Sequence, residues 1–107
     1  MRILKFIVDD LKIKPDPLCD FSGLVVGTEG YLRAEFAFSK EWDGCVKVAS
    51  FWKLDRECPA QILKDGKTCL IPAEALTWTS FEVGVIGKKA GTILRTNRTK
   101  VEQEKGV

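Results

Sequence analysis

The sequence predicts an all-β fold: an antiparallel sandwich of seven or eight short strands with one short helical crossover. Three observations carry this. Apolar and polar residues alternate in short runs, which is the period of a pleated strand and not of a helix. Turn-forming Gly, Pro, Asp and Asn break those runs about every ten residues. Only Pro72–Leu76 has helical composition, and it amounts to about one turn. All 107 residues read as one domain, because a chain of this length buries roughly two thirds of its unfolded surface without help from metals or disulfides.

Taken in order, Arg2 to Val8 is the first strand, and Asp9-Asp10 ends it. A loop containing Pro15 and Pro17 follows. Leu24–Gly27 and Tyr31–Ser39 flank Thr28-Glu29-Gly30 as a predicted hairpin. Leu32, Ala34, Phe36 and Phe38 share one face of its second strand, opposite Arg33 and Glu35. Lys40–Gly44 is a turn closed by Asp43-Gly44. Cys45 to Lys53 is apolar at both parities and reads as a central strand covered on both sides. Asp65-Gly66 predicts a two-residue hairpin with positive φ at both positions. That register gathers Ala60, Ile62, Cys69 and Ile71 on one inner face. Pro72–Leu76 crosses between sheets, and Ser80–Ile86 points Phe81, Val83 and Val85 inward. Gly87–Gly91 turns the chain, Thr92–Thr96 returns, and Lys100–Gln103 adds a last edge strand. The end, Glu102 to Gly106, reads as frayed.

Composition removes several function classes. Seventeen Lys and Arg face fifteen acids, a net charge of +2, which points to neither nucleic acid nor an anionic membrane as partner. Histidine is absent, so no Ser-His-Asp triad, Cys-His pair or histidine metal ligand can form. No apolar run is long enough to span a bilayer, and Met1–Phe6 lacks the pattern of a secretion signal. A reducing cytoplasm is therefore the expected place of synthesis. Cys19, Cys45, Cys58 and Cys69 are widely spaced without a CxxC knuckle, so they read as buried or half-buried free thiols, not as a zinc site or disulfides.

From Phe36 onward the chain carries a succession of recognisable pieces. Phe36–Gly44 (FAFSKEWDG) is followed by Lys47, Ala49 and Phe51. Then come Cys69–Leu76 (CLIPAEAL), Phe81–Gly87 (FEVGVIG) and Thr96-Asn97. This order and spacing resemble the immunoglobulin-like domain of tail and baseplate proteins in phages of Gram-positive bacteria, including the N-terminal domain of baseplate upper proteins. The resemblance implies an immunoglobulin-like sandwich and a virion structural role, assembled in the bacterial host cytoplasm, with copies of itself or other tail and baseplate proteins as partners. It implies no enzyme activity and no cofactor. The matched positions are fold positions: Phe36 and Phe38 fill a core face, Asp43-Gly44 closes a turn, and Ile71-Pro72 ends a strand.

Sharper readings attach to a few side chains. Trp42, Trp52 and Trp78 invite comparison with the aromatic platforms of carbohydrate-binding sandwiches, which here would recognise host cell-wall saccharide. The plainer alternative places Trp52 in the core and packs Trp42 over a turn, leaving Trp78 exposed as an interface anchor. Gly84–Gly91 has a Gly-Lys pair but lacks a phosphate loop's first glycine, since Glu82 stands there. It reads as a hairpin tip whose Lys88 and Lys89 are available to a phosphate or an acidic neighbour. Asp9-Asp10 and Glu41/Asp43 read as turn carboxylates in preference to a glycosidic pair. The candidate contact residues are thus Trp42, Trp78, Lys88 and Lys89, with no catalytic, cofactor or metal ligand among them.

Overall fold

The computed structural model describes the whole chain, Met1–Val107. It is an all-β sandwich of ten strands in two sheets. The four-stranded sheet runs β2-β1-β3-β7: β1 (Arg2–Asp9), β2 (Lys12–Pro15), β3 (Leu32–Phe38) and β7 (Thr68–Leu70). The six-stranded sheet is built on β4 (Val46–Lys53) and β8 (Ser80–Lys89). β5 (Arg56–Glu57) and β6 (Gln61–Ile62) pair with β4, while β9 (Thr92–Arg95) and β10 (Thr99–Glu102) pair with β8.

Period-two alternation decides what lies between the sheets. Leu4, Phe6 and Val8 of β1 align with Ala34, Phe36 and Phe38 of β3, and Val8 with Ile13 of β2. The Phe6 and Phe36 rings stack at 5.5 Å. From the other sheet Ala49 and Phe51 meet Phe81, Val83 and Val85, with Val101 beside Phe81. The chain crosses between sheets three times: after β3, through Asp65-Gly66, and after β7. The first and third crossings contain short 3-10 helices, Lys40–Trp42 and Ala73–Thr77. The predicted helical crossover is therefore present, as a 3-10 turn with Pro72 capping it and not opening it.

Several expectations are corrected. β1 and β3 run parallel, so the pairing is not antiparallel throughout. A parallel pair needs a long return connection, and residues 10–31 supply it. That connection includes β2, a strand where a loop was expected: Asp10 takes φ 54° and reverses the chain immediately. Leu24–Gly27 is not half of a hairpin. Leu24 is buried, Val25 bridges in parallel to Glu104, and Arg2 Nη2 donates to the carbonyls of Asp20 (2.8 Å) and Ser22 (2.6 Å) to hold the loop down.

Asp65-Gly66 does not close a hairpin either, because β6 and β7 belong to different sheets. Only Gly66 has positive φ (83°), and the Gly66 amide donates to Leu63 O. The Asp65 carboxylate accepts from the Lys67 and Thr68 amides and the Thr68 hydroxyl, which holds its carboxyl well below the usual range. Cys69 and Ile71 are inside as expected, whereas Ala60 and Ile62 face solvent. The C-terminal end is docked: Gln103 donates from its backbone to Thr79 O and from Nε2 to Trp78 O, both at 2.7 Å, and Glu104 O accepts from the Val26 amide. All four cysteines are free.

Candidate interaction face

β4 is covered along its length on one side only; on the other, cover is local to Ser50, which is 5% exposed, and to Trp52 under Arg98. Its odd residues Ala49 and Phe51 are buried in the core, while the outer face of the sheet carries the even ones. Register assembles this outer face into rows. Ile62, Val48, Ile86 and Arg95 lie side by side across four strands. One row along, Val46 neighbours Lys88, which neighbours Ile93. Rows of this kind are about 6.6 Å apart and strands about 4.8 Å apart, so these side chains are neighbours in one band, which Lys88 interrupts between Val46 and Ile93. Val46 is 66% exposed, Ile62 60% and Ile93 57%, with Val48 and Ile86 half-buried between them. Strand parity alone cannot expose this: β4 is apolar at both parities, and only the missing third layer identifies the bare one.

At the other end of this face Trp52 lies beside Glu82, which lies beside Lys100. Trp52 is thus half-buried on the outer face and not in the core. The guanidinium of Arg98 sits 3.7 Å above its ring centroid and 3.4 Å from Glu82 Oε1.

The four candidate contact residues are not brought together. Trp42 is sealed in the core at 0% exposure, so it is no contact residue: its Nε1 donates to Asp10 O at 2.8 Å and its ring packs on Phe38 at 5.3 Å. Gly87 is required beneath it, since a Cβ there would lie 2.7 Å from the indole. The glycine of the Gly-Lys pair thus serves packing and not a phosphate. Lys88 and Lys89 point to opposite faces of β8. Lys89 Nζ donates to the carbonyls of Glu41 (2.9 Å) and Asp43 (3.3 Å), tying β8 to the first 3-10 helix, whereas Lys88 stands on the outer face. Trp78 is 47% exposed, but it precedes β8 at the end opposite the lysines, about 30 Å away along the strand. Trp42 is enclosed, Arg98 covers a face of the half-buried Trp52 ring, and Trp78 is 47% exposed, so the three tryptophans do not form a common bare platform.

No three His, Cys, Asp or Glu side chains converge in a metal-binding group. No helix is long and apolar enough to cross a membrane. No family model matches the chain, and no curated protein matches it.

Proposed function

We propose that the chain is a phage or prophage virion structural protein, a tail or baseplate component acting through protein–protein assembly and not through catalysis. One observation carries this reading: the bare apolar band Val46, Val48, Ile62, Ile86 and Ile93 on the outer face of the six-stranded sheet. Strands of antiparallel sheets normally put polar residues on the water side, and a contiguous apolar patch there marks an association surface. The resemblance of Phe36–Asn97 to immunoglobulin-like tail and baseplate domains supports the class of assembly. Many copies in a ring make individually weak contacts cooperative. Lys100, Glu102 and Glu104 place charge along the β10 edge, which favours face-on over edge-on association.

Particles purified from a host carrying the gene test the proposal. The chain is expected among their proteins by mass spectrometry. The double variant Val46→Lys/Ile93→Lys is expected to be made and folded but missing from the particles. Absence of the wild-type chain from particles overturns the virion reading. Normal incorporation of the variant overturns the role of the face.

A further inference from the structure

Between β9 and β10 the chain bulges along the β8 edge, where the Thr96 amide still donates to Val85 O at 3.1 Å, and residues 96–98 fold over Gly84 on the outer face. A Cβ at Gly84 would meet Asn97 O at 3.1 Å and Thr96 Oγ1 at 3.2 Å, so glycine is what admits this backbone. The fold-over leaves a cleft of about 300 Å³ whose lining includes Ser50, Trp52, Arg95, Thr96 and Arg98. Ser50 lies across from Gly84, is 5% exposed, and its hydroxyl has no hydrogen-bond partner. A buried hydroxyl without a partner is a standing cost unless something else supplies one.

The unused capacity of this cleft is all of one kind. The Arg95 side chain makes no hydrogen bond or ion pair within the chain. Arg98 uses one N–H on Glu82 and is held in place by the Trp52 ring, with its other N–H groups free. The Thr96 hydroxyl is already engaged, accepting from the Val85 amide at 2.9 Å and donating to Asn97 O at 2.7 Å. No carboxylate lines the cleft. Two guanidinium groups and one hydroxyl therefore offer donors around a space that no carboxylate lines. The planar fork of arginine matches carboxylate and phosphate oxygens, and such charge-assisted bonds are the strong ones. A cation is repelled here, and the Trp52 face that Arg98 occupies is closed to the stacking a neutral pyranose would need.

We infer that this cleft binds a small oxyanion, a carboxylate or phosphate group, held by Arg95 and Arg98 with the Ser50 hydroxyl beneath it. The inference stands on its own and does not require the virion reading.

The test is a titration of the ¹⁵N-labelled chain with inorganic phosphate and, separately, with glucuronate, at ionic strength matched by sodium chloride. Saturable shifts are expected at the amides of Trp52, Gly84 and Thr96 and at the Trp52 indole N–H, with midpoints on the order of 1–10 mM. Saturation by phosphate alone, by glucuronate alone or by both identifies which oxyanion the cleft takes. Arg95→Gln, at an exposed position, is expected to weaken binding about tenfold or more. Ser50→Ala is expected to weaken it without lowering the unfolding midpoint. Shifts that grow linearly, or that sodium chloride alone reproduces, overturn the inference. Wild-type affinity in Arg95→Gln overturns it as well, and wild-type affinity in Ser50→Ala overturns the placement of the anion over that hydroxyl.

Discussion

Gly87 shows how one residue's identity can be dictated by another distant in sequence. The Trp42 ring occupies the space a side chain would need, and it cannot yield: its Nε1 is bonded to Asp10 O and its face packs on Phe38. Gly87→Ala is therefore expected to destabilise the fold by about 1–3 kcal/mol, as overpacking does, read from urea unfolding midpoints. The thiols give a second prediction at this scale. Burial pushes the Cys69 thiol up to about 12, and it raises Cys58 in the same direction. The folded chain then keeps protons that the unfolded chain releases near pH 8.5. Stability is unaffected by these groups below that value and falls as pH rises from about 8.5 toward 12, because the native state binds more protons. Unfolding midpoints measured from pH 7 to 11 are expected to show the decline, with a shallower slope in Cys69→Ala. The same measurement showing a rise sinks the assignment.

Among the elements, the 96–98 segment does what no strand signal announces: it closes the sandwich at one edge. The Asn97 amide donates to Leu11 O at 3.3 Å, and its Oδ1 accepts from the Ile13 amide at 2.9 Å, joining the β10 side to β2 of the opposite sheet. Ile13 itself is buried, so its N–H has no water to turn to. Asn97→Ala is expected to destabilise by about 1–3 kcal/mol and to speed hydrogen exchange at Ile13 ahead of the core amides. Exchange at Ile13 unchanged in the variant removes Asn97 from this role. Asp65 plays a comparable part at another crossing, where its carboxylate gathers two amides and a hydroxyl so that the chain can pass from β6 to β7. An Asp-Gly pair has the same local chemistry in a hairpin and in such a crossing. Which one forms is decided by where the flanking strands find partners.

For the molecule as a whole, the sandwich has two layers and therefore one bare face on each sheet. The apolar rows of the six-stranded sheet are the bare surface that needs a reason, since Val46 and Ile93 contribute little to the fold from where they stand. Replacing both with lysine is expected to lower stability by no more than about 1 kcal/mol, because the positions are exposed and the cost is repulsion between Lys88 and the lysines flanking it. The same change is expected to abolish any concentration-dependent self-association seen by sedimentation. A large loss of stability would mean the face is internal architecture and not contact surface.

Alternation by itself determined that the chain is β-rich and that Leu32, Ala34, Phe36, Phe81, Val83 and Val85 look inward, because pleat geometry ties residue parity to a face wherever one face is polar. The wide cysteine spacing, with no CxxC knuckle, together with the expected reducing place of synthesis, led to free thiols. Alternation did not determine pairing. The parallel β1–β3 contact, the docked C-terminal end and the passage of Asp65-Gly66 between sheets all depend on partners far away in sequence. Only the tertiary structure decided that Trp42 is sealed, that Trp52 and Ile62 face outward, and that Ser50, Arg95 and Arg98 share one cleft. For β4, apolar at both parities, burial is set by whether a second layer covers a face, and that is a property of the assembled sheets and not of the strand.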